Sequence, residues 1–161
     1  MARISFARTH MGEHVDWMLS RPELAAGMGA LSDAVYNRSQ LDLREREAAR
    51  YTIAMVNDCA VCRSARARDA APAGLEESFY TELTDWRGAQ SLTLREQLAA
   101  EFAERFALDH LGMDDAFWQR LRESYTDDEI VDLTICCGAW LGMGRAMAVI
   151  GVRAPEQQLL V

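Results

Sequence analysis

Helix-start signals recur along this 161-residue sequence and constrain its fold more than any other feature. A capping residue is followed three positions later by glutamate in four segments: Ser20 to Glu23, Asp42 to Glu45, Thr93 to Glu96 and Thr126 to Glu129. Apolar residues at helical spacing follow these segments, and no alternating strand pattern competes with them. We therefore predict an all-α fold, a single-domain bundle of about six to eight helices.

The same pattern gives approximate bounds for the helices. It predicts them over about 22–36, 43–57, 59–71, 75–86, 93–108, 114–124 and 127–150. Proline occurs only three times, and no Gly/Ser/Pro-rich linker divides the chain. A chain of this length suits one well-packed domain.

Charge and composition exclude several classes of function. The chain carries 25 acidic and 17 basic side chains, for a net charge of −8, which argues against binding to nucleic acid. All the basic residues are arginine, so a Walker-A lysine, a Schiff base and a lysine general base are excluded. No apolar run reaches the length of a bilayer span and the N-terminus has no secretory pattern, so we expect a cytoplasmic protein without a membrane partner.

A Cys-x-x-Cys motif is the strongest chemical signal in the sequence. Asp58 is a good helix N-cap, and it would place Cys59 and Cys62 in the first turn of a helix, where the helix dipole favours thiolate. Arg63 and Arg66 would add positive charge, and Arg66 would share a helix face with Cys62. Sulfurs at this spacing can also meet in a disulfide. These features favour a redox-active pair.

Two other interpretations of the motif remain open. Cys59 and Cys62 could be small apolar residues on the buried face of an amphipathic helix. They could also be half of a metal site, but the sequence has no second Cys-x-x-Cys or Cys-x-x-His to complete a structural zinc site.

A second metal-like pattern lies at the N-terminus. His10, Glu13 and His14 match the His-x-x-Glu-His pattern of inverted zinc proteases. That motif requires a long helix inside a folded domain and a distant third ligand, and no strong helix signal precedes it here. We therefore predict no metal site.

The last predicted helix contains adjacent cysteines and three glycines. Cys136 and Cys137 point in different directions on a helix, and we expect both to be small core residues. Gly138, Gly142 and Gly144 each cost about 1 kcal/mol of helix stability relative to alanine. Close packing against another helix, within the domain or between subunits, would compensate for that cost.

Two long segments resemble the carboxymuconolactone decarboxylase and AhpD-like (alkylhydroperoxidase D) family. The first runs LDLREREAARYTIAMVNDCAVCRSARARDAAPAGL, and the second extends from LTLREQ to VIGV. The resemblance covers about residues 35–152 in order and spacing. We therefore predict one domain with an AhpD-like core over 35–152, preceded by an N-terminal helical segment over 1–34 and followed by a C-terminal tail over 153–161.

The resemblance implies roles for particular residues. Redox members of the family carry Glu-x11-Cys-x-x-Cys-x3-His, and Glu47, Cys59 and Cys62 match this pattern. Cys62 would attack, Cys59 would close the disulfide, and Glu47 would belong to the proton relay. Arg66 stands in place of the relay histidine, and Val61 replaces a second histidine often found between the cysteines. Because arginine stays protonated, Arg66 could hold Cys62 as thiolate but could not act as a general base.

The leading hypothesis is a thiol-based oxidoreductase that reduces a peroxide or a disulfide. Its cofactor would be the Cys59–Cys62 disulfide itself, with no bound metal or organic group, and its partners a small-molecule substrate and an unknown thiol reductant. The alternatives are a carboxymuconolactone decarboxylase-type lyase and a relay-deficient, non-catalytic oligomeric binding protein. The resemblance also implies a homo-oligomer, either a trimer, a hexamer or a dimer.

Overall fold

A computed structural model describes residues 2–9 and 11–155, and within them eight α-helices and no β-strand occur, which confirms the predicted all-α class. The helices are α1 (Glu13–Leu19), α2 (Pro22–Asn37), α3 (Leu43–Val56), α4 (Ala60–Ser64), α5 (Glu77–Glu82), α6 (Leu94–Leu108), α7 (Asp115–Ser124) and α8 (Asp127–Ile150). Single 3-10 turns occur at Leu83–Asp85 and His110–Gly112.

Three of the predicted helix starts are confirmed by their hydrogen bonds. Thr93 and Glu96 form a reciprocal capping box at the start of α6, and Thr126 and Glu129 form another at α8. Asp42 accepts a hydrogen bond from the Arg44 amide at the start of α3. These local interactions explain why the bounds of the long helices agree with the sequence pattern.

The predicted N-cap at Ser20 is wrong. Ser20 instead ends α1, where its hydroxyl donates to the carbonyl of Asp16 at 3.0 Å. Arg21 is the N-cap of α2, and its side chain makes no capping hydrogen bond. Pro22, at the first helical position, fixes the start of α2 instead.

The main core lies where α3 packs against α6 and α8. Both α3 and α6 bury small residues completely: Ala48 and Ala49 in α3, and Ala99, Ala100 and Ala103 in α6. Short side chains allow two helix axes to approach closely. This packing gives α3 a rigid position, and α3 carries the buried charges described below.

A second apolar cluster joins the N-terminal region to the Cys-x-x-Cys segment and the end of α8. Cys59, Val61 and Val152 are buried in it, and Trp17 of α1 and Met147 of α8 pack against them. The cluster therefore attaches α1 to the segment that carries the cysteines.

The long helix α8 contains the adjacent cysteines, and both are buried, as expected. By length and composition alone α8 could cross a membrane, but the core helix of a soluble protein can have the same length and composition. About one third of its most apolar stretch is buried within the described part of the chain. Of its glycines, only Gly144 lies so close to its neighbours that an added β-carbon would make them shift; Gly142 has open space beside it.

Candidate active site

The two cysteines of the motif are joined by a disulfide, with their α-carbons 5.3 Å apart. Cys59 is fully buried, whereas Cys62 is half-buried. Cys59 is the N-cap of α4, and its sulfur accepts a hydrogen bond from the Cys62 amide at 3.2 Å. The first turn of α4 thus holds the two sulfurs on the same side of the backbone.

The predicted N-cap at Asp58 is therefore wrong by one residue. Asp58 adopts a left-handed conformation with φ of 47°, which aspartate tolerates better than most residues. Its carboxylate forms a solvent-exposed ion pair with Arg63 at 2.6 Å. The positive charge of Arg63 is therefore compensated by Asp58.

The predicted helix over 59–71 is also wrong, because α4 ends at Ser64 and turns follow. Continuing the helix would require the carbonyls of Cys62 and Ala65 to accept from amides further along the chain. The guanidinium of Arg50 donates to both carbonyls instead, at 2.7 Å and 3.1 Å. A long-range contact from α3 therefore replaces the helical hydrogen bonds.

Arg50 forms a buried ion pair with Glu47. Two hydrogen bonds of 2.7 and 2.8 Å join the guanidinium to the carboxylate, and the Tyr80 hydroxyl donates to the same carboxylate at 2.9 Å. Burial acts to lower the pKa of Arg50, but the charge and hydrogen bonds of Glu47 outweigh it and raise that pKa. Burial, with the charge of Glu47, also raises the pKa of Tyr80.

Glu47 is thus connected to Cys62 through Arg50. Its carboxylate is fully buried and bound to Arg50 and Tyr80, and Arg50 in turn binds the backbone of Cys62. Glu47 therefore orients the dithiol segment through the guanidinium of Arg50. Its proton-relay role stays a prediction.

Arg66 lies beyond the end of α4, so the expected helical face shared with Cys62 does not form. Its guanidinium pairs with Glu77 through two hydrogen bonds of 2.8 Å and donates to the Arg63 and Ala65 carbonyls. It also lies over the Tyr80 ring, 4.1 Å from the centroid. Its charge is therefore compensated by Glu77.

A cavity of about 150 Å³ opens beside Cys62, between α1, α2, α3, α4 and α8. Its walls are mainly apolar and include Val61, Trp140, Met143 and Met147. Cys59 is not among the lining residues, so only Cys62 of the pair borders this cavity.

Gly144 forms part of the cavity wall next to the sulfur of Cys62. A β-carbon at this position would lie 3.2 Å from the Cys62 sulfur and 2.8 Å from Nδ2 of Asn57. Asn57 in turn donates to the α8 carbonyl of Leu141 and accepts from Arg145. The glycine lets α8 approach the dithiol segment. The close packing expected for all three glycines of α8 is therefore found only at Gly144.

The two described residues of the N-terminal zinc-like pattern have different surroundings. Glu13 forms an ion pair with Arg153 at 2.6 Å, His14 lines the Cys62 cavity, and His10 lies outside the described residues. Within 2–9 and 11–155, no group of three or more His, Cys, Asp or Glu side chains could hold a metal ion.

More than half of the chain matches a known protein family. The sequence profile of the carboxymuconolactone decarboxylase family matches residues 22–105, which is more than half of the chain. The chain belongs to this family. Membership supports a peroxidase-related or carboxymuconolactone decarboxylase-like function.

Two relatives matched at the sequence level are uncharacterized proteins. The chain is 25% identical to the uncharacterized protein YdfG of Bacillus subtilis over 150 residues, covering 91% of this chain and all of YdfG. It is 30% identical over 122 residues to the uncharacterized protein MT2376 of Mycobacterium tuberculosis, covering 74% of this chain and 42% of that protein.

Solved structures show the same fold. A protein of unknown function from Agrobacterium tumefaciens, ATU0492, whose description refers to the antioxidant defence protein AhpD, has a TM-score of 0.79 at 22% identity, covering 89% of this chain and 99% of that one. An uncharacterized peroxidase-related protein from Ralstonia eutropha with an alkylhydroperoxidase AhpD core has a TM-score of 0.76 at 20% identity, covering 89% and 77%. The AhpD-like fold predicted from the sequence is confirmed.

Within this carboxymuconolactone decarboxylase family member, the sequence pattern found the cysteines but missed their supports. The partnership of Arg50 with Glu47 had a signal, since the two lie three residues apart on a predicted helix. Tyr80 and His14 had none, because only the tertiary fold brings them to the site.

Proposed function

We propose that the protein reduces a peroxide or a disulfide with the dithiol of Cys59 and Cys62. The observation that carries this proposal is the asymmetry of the pair: Cys62 lines a cavity, whereas Cys59 is fully buried directly behind it. An attacking thiol must reach its substrate, and a resolving thiol needs to reach only the first sulfur. Cys62 is accordingly the nucleophile and Cys59 the resolving residue.

The apolar wall of the cavity favours an organic substrate. Trp140, Met143 and Met147 would contact the hydrocarbon part of an alkyl hydroperoxide, while its peroxide oxygens lie at the Cys62 sulfur. Apolar pockets with few polar groups are typical of small-molecule sites. Attack would give a sulfenic acid at Cys62, which Cys59 converts to the disulfide with release of water. An external dithiol would then reduce the disulfide.

A thiol count tests this proposal. The protein is reduced, freed of reductant and mixed with one equivalent of cumene hydroperoxide, and free thiols are then measured. We expect the four thiols to fall to two, since a single disulfide forms. Cys62→Ser should lose no thiol to disulfide formation, whereas Cys59→Ser should retain a sulfenic acid or form a mixed disulfide at Cys62. Cys137→Ser is the matched control and should still form the Cys59–Cys62 disulfide.

A non-catalytic function is the second candidate. It is favoured by one observation, the binding of Arg66 to Glu77, which leaves the relay position of redox family members occupied by a paired cation. If the thiols of Cys59 and Cys62 stay reduced in excess peroxide near neutral pH, this candidate replaces the redox proposal. Equal single-turnover rates for Cys62→Ser and Cys59→Ser would contradict the assigned roles.

A further inference from the structure

His14 lines the same cavity as Cys62, although it lies far away in the sequence. It is carried by α1, ahead of the residues 22–105 that match the family profile. Its imidazole is half-buried, and its Nδ1 atom is buried without a hydrogen-bond partner within the described part of the chain. A buried polar atom without a partner calls for an explanation, and a role in the reaction supplies one.

One contact restricts the His14 ring, and a second attaches its helix to the dithiol segment. Gly12 has φ of 100° and lies beside the ring: a β-carbon on Gly12 would be 2.9 Å from both Cε1 and Nδ1. Trp17, on the same helix, packs against the apolar cluster that buries Cys59 and Val61. The N-terminal helix is therefore attached to the dithiol segment, and His14 forms part of the cavity wall.

Two other ionisable side chains of the cavity, Tyr36 and Arg50, keep their protons near neutral pH. Burial raises the pKa of Tyr36 to about 12, and Arg50 is held as a cation by Glu47. Burial lowers the pKa of His14, an effect that the charge of Asp16 partly opposes. His14 is therefore neutral at rest and a ready proton donor once protonated.

We propose that His14 is the proton-transfer residue for Cys62 and performs the task that Arg66 cannot. This inference rests on the proposed peroxide reduction. Neutral His14 accepts the proton of the Cys62 thiol. The thiolate attacks the terminal oxygen of R–O–O–H, so that an S–O bond forms and the O–O bond breaks. The departing alkoxide takes the proton from His14 and leaves as the alcohol.

The step is balanced by the two cysteines and an external dithiol. Cys62 is oxidised to the sulfenic acid while the hydroperoxide is reduced to the alcohol. The Cys59 thiol then attacks the Cys62 sulfur, the disulfide forms and water leaves. A dithiol reductant restores both thiols by exchange.

The test compares two oxidants that differ in their leaving group. Reduced protein is mixed with cumene hydroperoxide or with the aromatic disulfide dithiobis(nitrobenzoate), and single-turnover rates are measured at neutral pH. The alkoxide needs a proton to leave, whereas the aromatic thiolate does not. We expect His14→Gln to slow the peroxide reaction about 100-fold or more and the aromatic disulfide reaction far less. His110→Gln, at an exposed position, is the matched control and should change neither rate.

A second variant keeps the test valid if His14→Gln alters the fold. In His14→Ala, added imidazole should restore the peroxide reaction by entering the enlarged cavity. Equal losses with both oxidants and no rescue by imidazole would overturn the inference, because they indicate a structural role. An unchanged peroxide rate in His14→Gln would also overturn it but leave the proposed function intact. Failure of the wild-type protein to form the disulfide would contradict the proposed function itself.

Discussion

The two cysteine pairs of this chain lie in opposite surroundings. Cys59 and Cys62 begin a five-residue helix whose carbonyls are bound by a buried arginine, and Cys62 borders a cavity. Cys136 and Cys137 lie in the middle of the 24-residue helix α8, inside the main core. The first pair combines the second, smaller apolar cluster around Cys59 with the contact of Arg50 to the Cys62 backbone, whereas the second pair is packed inside the main core.

In the second pair, the location of the cysteines sets the pKa of their thiols. Burial raises the pKa of Cys136 to about 12 and the pKa of Cys137 well above its ordinary value. Cys136 also lies beside the carboxylate of Asp132, with sulfur and oxygen 3.3 Å apart, which disfavours a thiolate further. The second pair is thus kept as neutral thiols while the first is placed beside a cavity.

The largest expected effect is a difference in alkylation rate between the pairs. In the reduced protein at pH 8, a thiol with pKa near 12 has a thiolate fraction of about 10⁻⁴, whereas an ordinary thiol of pKa about 8.5 has about a quarter. We expect iodoacetamide to modify Cys62 more than about 1,000-fold faster than Cys136, measured by peptide mass mapping. Because of the raised pKa, the labelling rate of Cys136 should keep rising about tenfold per pH unit up to about pH 12, whereas that of an ordinary thiol levels off above about pH 8.5. Comparable rates at pH 8 would contradict the contrast between the pairs.

The second prediction removes the charge that supports the first pair. Glu47→Gln leaves Arg50 buried beneath Cys62 without its counter-ion, so the free energy of unfolding should fall by about 3–5 kcal/mol, measured by urea denaturation. Tyr80→Phe is the matched control, since it keeps the ion pair and removes one hydrogen bond to the carboxylate. Tyr80→Phe should lower the free energy of unfolding by about 1.5–3 kcal/mol. If the control costs as much as Glu47→Gln, the ion pair is not what supports this segment.

The third prediction disturbs the geometry of the first pair without touching either cysteine. Gly144→Ala would place a methyl group 3.2 Å from the Cys62 sulfur, so the sulfur must shift. Small displacements at a reacting centre can cost about 100-fold in rate, and we expect a loss of that order in single-turnover oxidation by cumene hydroperoxide.

Gly142→Ala is the control for that substitution. It lies on the same helix with open space around it, so it should keep the rate and gain up to about 1 kcal/mol of stability. Equal rates for the two variants would mean that the approach of α8 does not position Cys62.

The long helices were predictable because their signals are local. Thr93 and Thr126 find their capping partners three residues away, so the sequence alone defines where α6 and α8 begin. The Cys-x-x-Cys pair was predictable for the same reason, since one helical turn brings the two residues together.

The surroundings of the pair depend on contacts that no local pattern encodes. Arg50 ends α4 by binding its carbonyls from another helix, which a propensity for helix over 59–71 cannot reveal. Arg66 binds Glu77, which lies eleven positions further along the chain. His14 lines the cavity from the N-terminal helix α1. Physical reasoning from spacing therefore finds the cysteine pair but not the groups that surround it.

The smallest expected effect concerns the second pair itself. Cys137→Ala should lower the free energy of unfolding by about 1 kcal/mol, since it removes one buried sulfur from the core. Cys136→Ala should cost a similar amount, because it loses the same packing together with a weak contact to Asp132. Neither variant should change the rate at which peroxide closes the Cys59–Cys62 disulfide. Slower formation of the Cys59–Cys62 disulfide in either variant would mean that the two pairs are coupled through α8. This helix carries Gly144, two turns after the second pair, against Cys62.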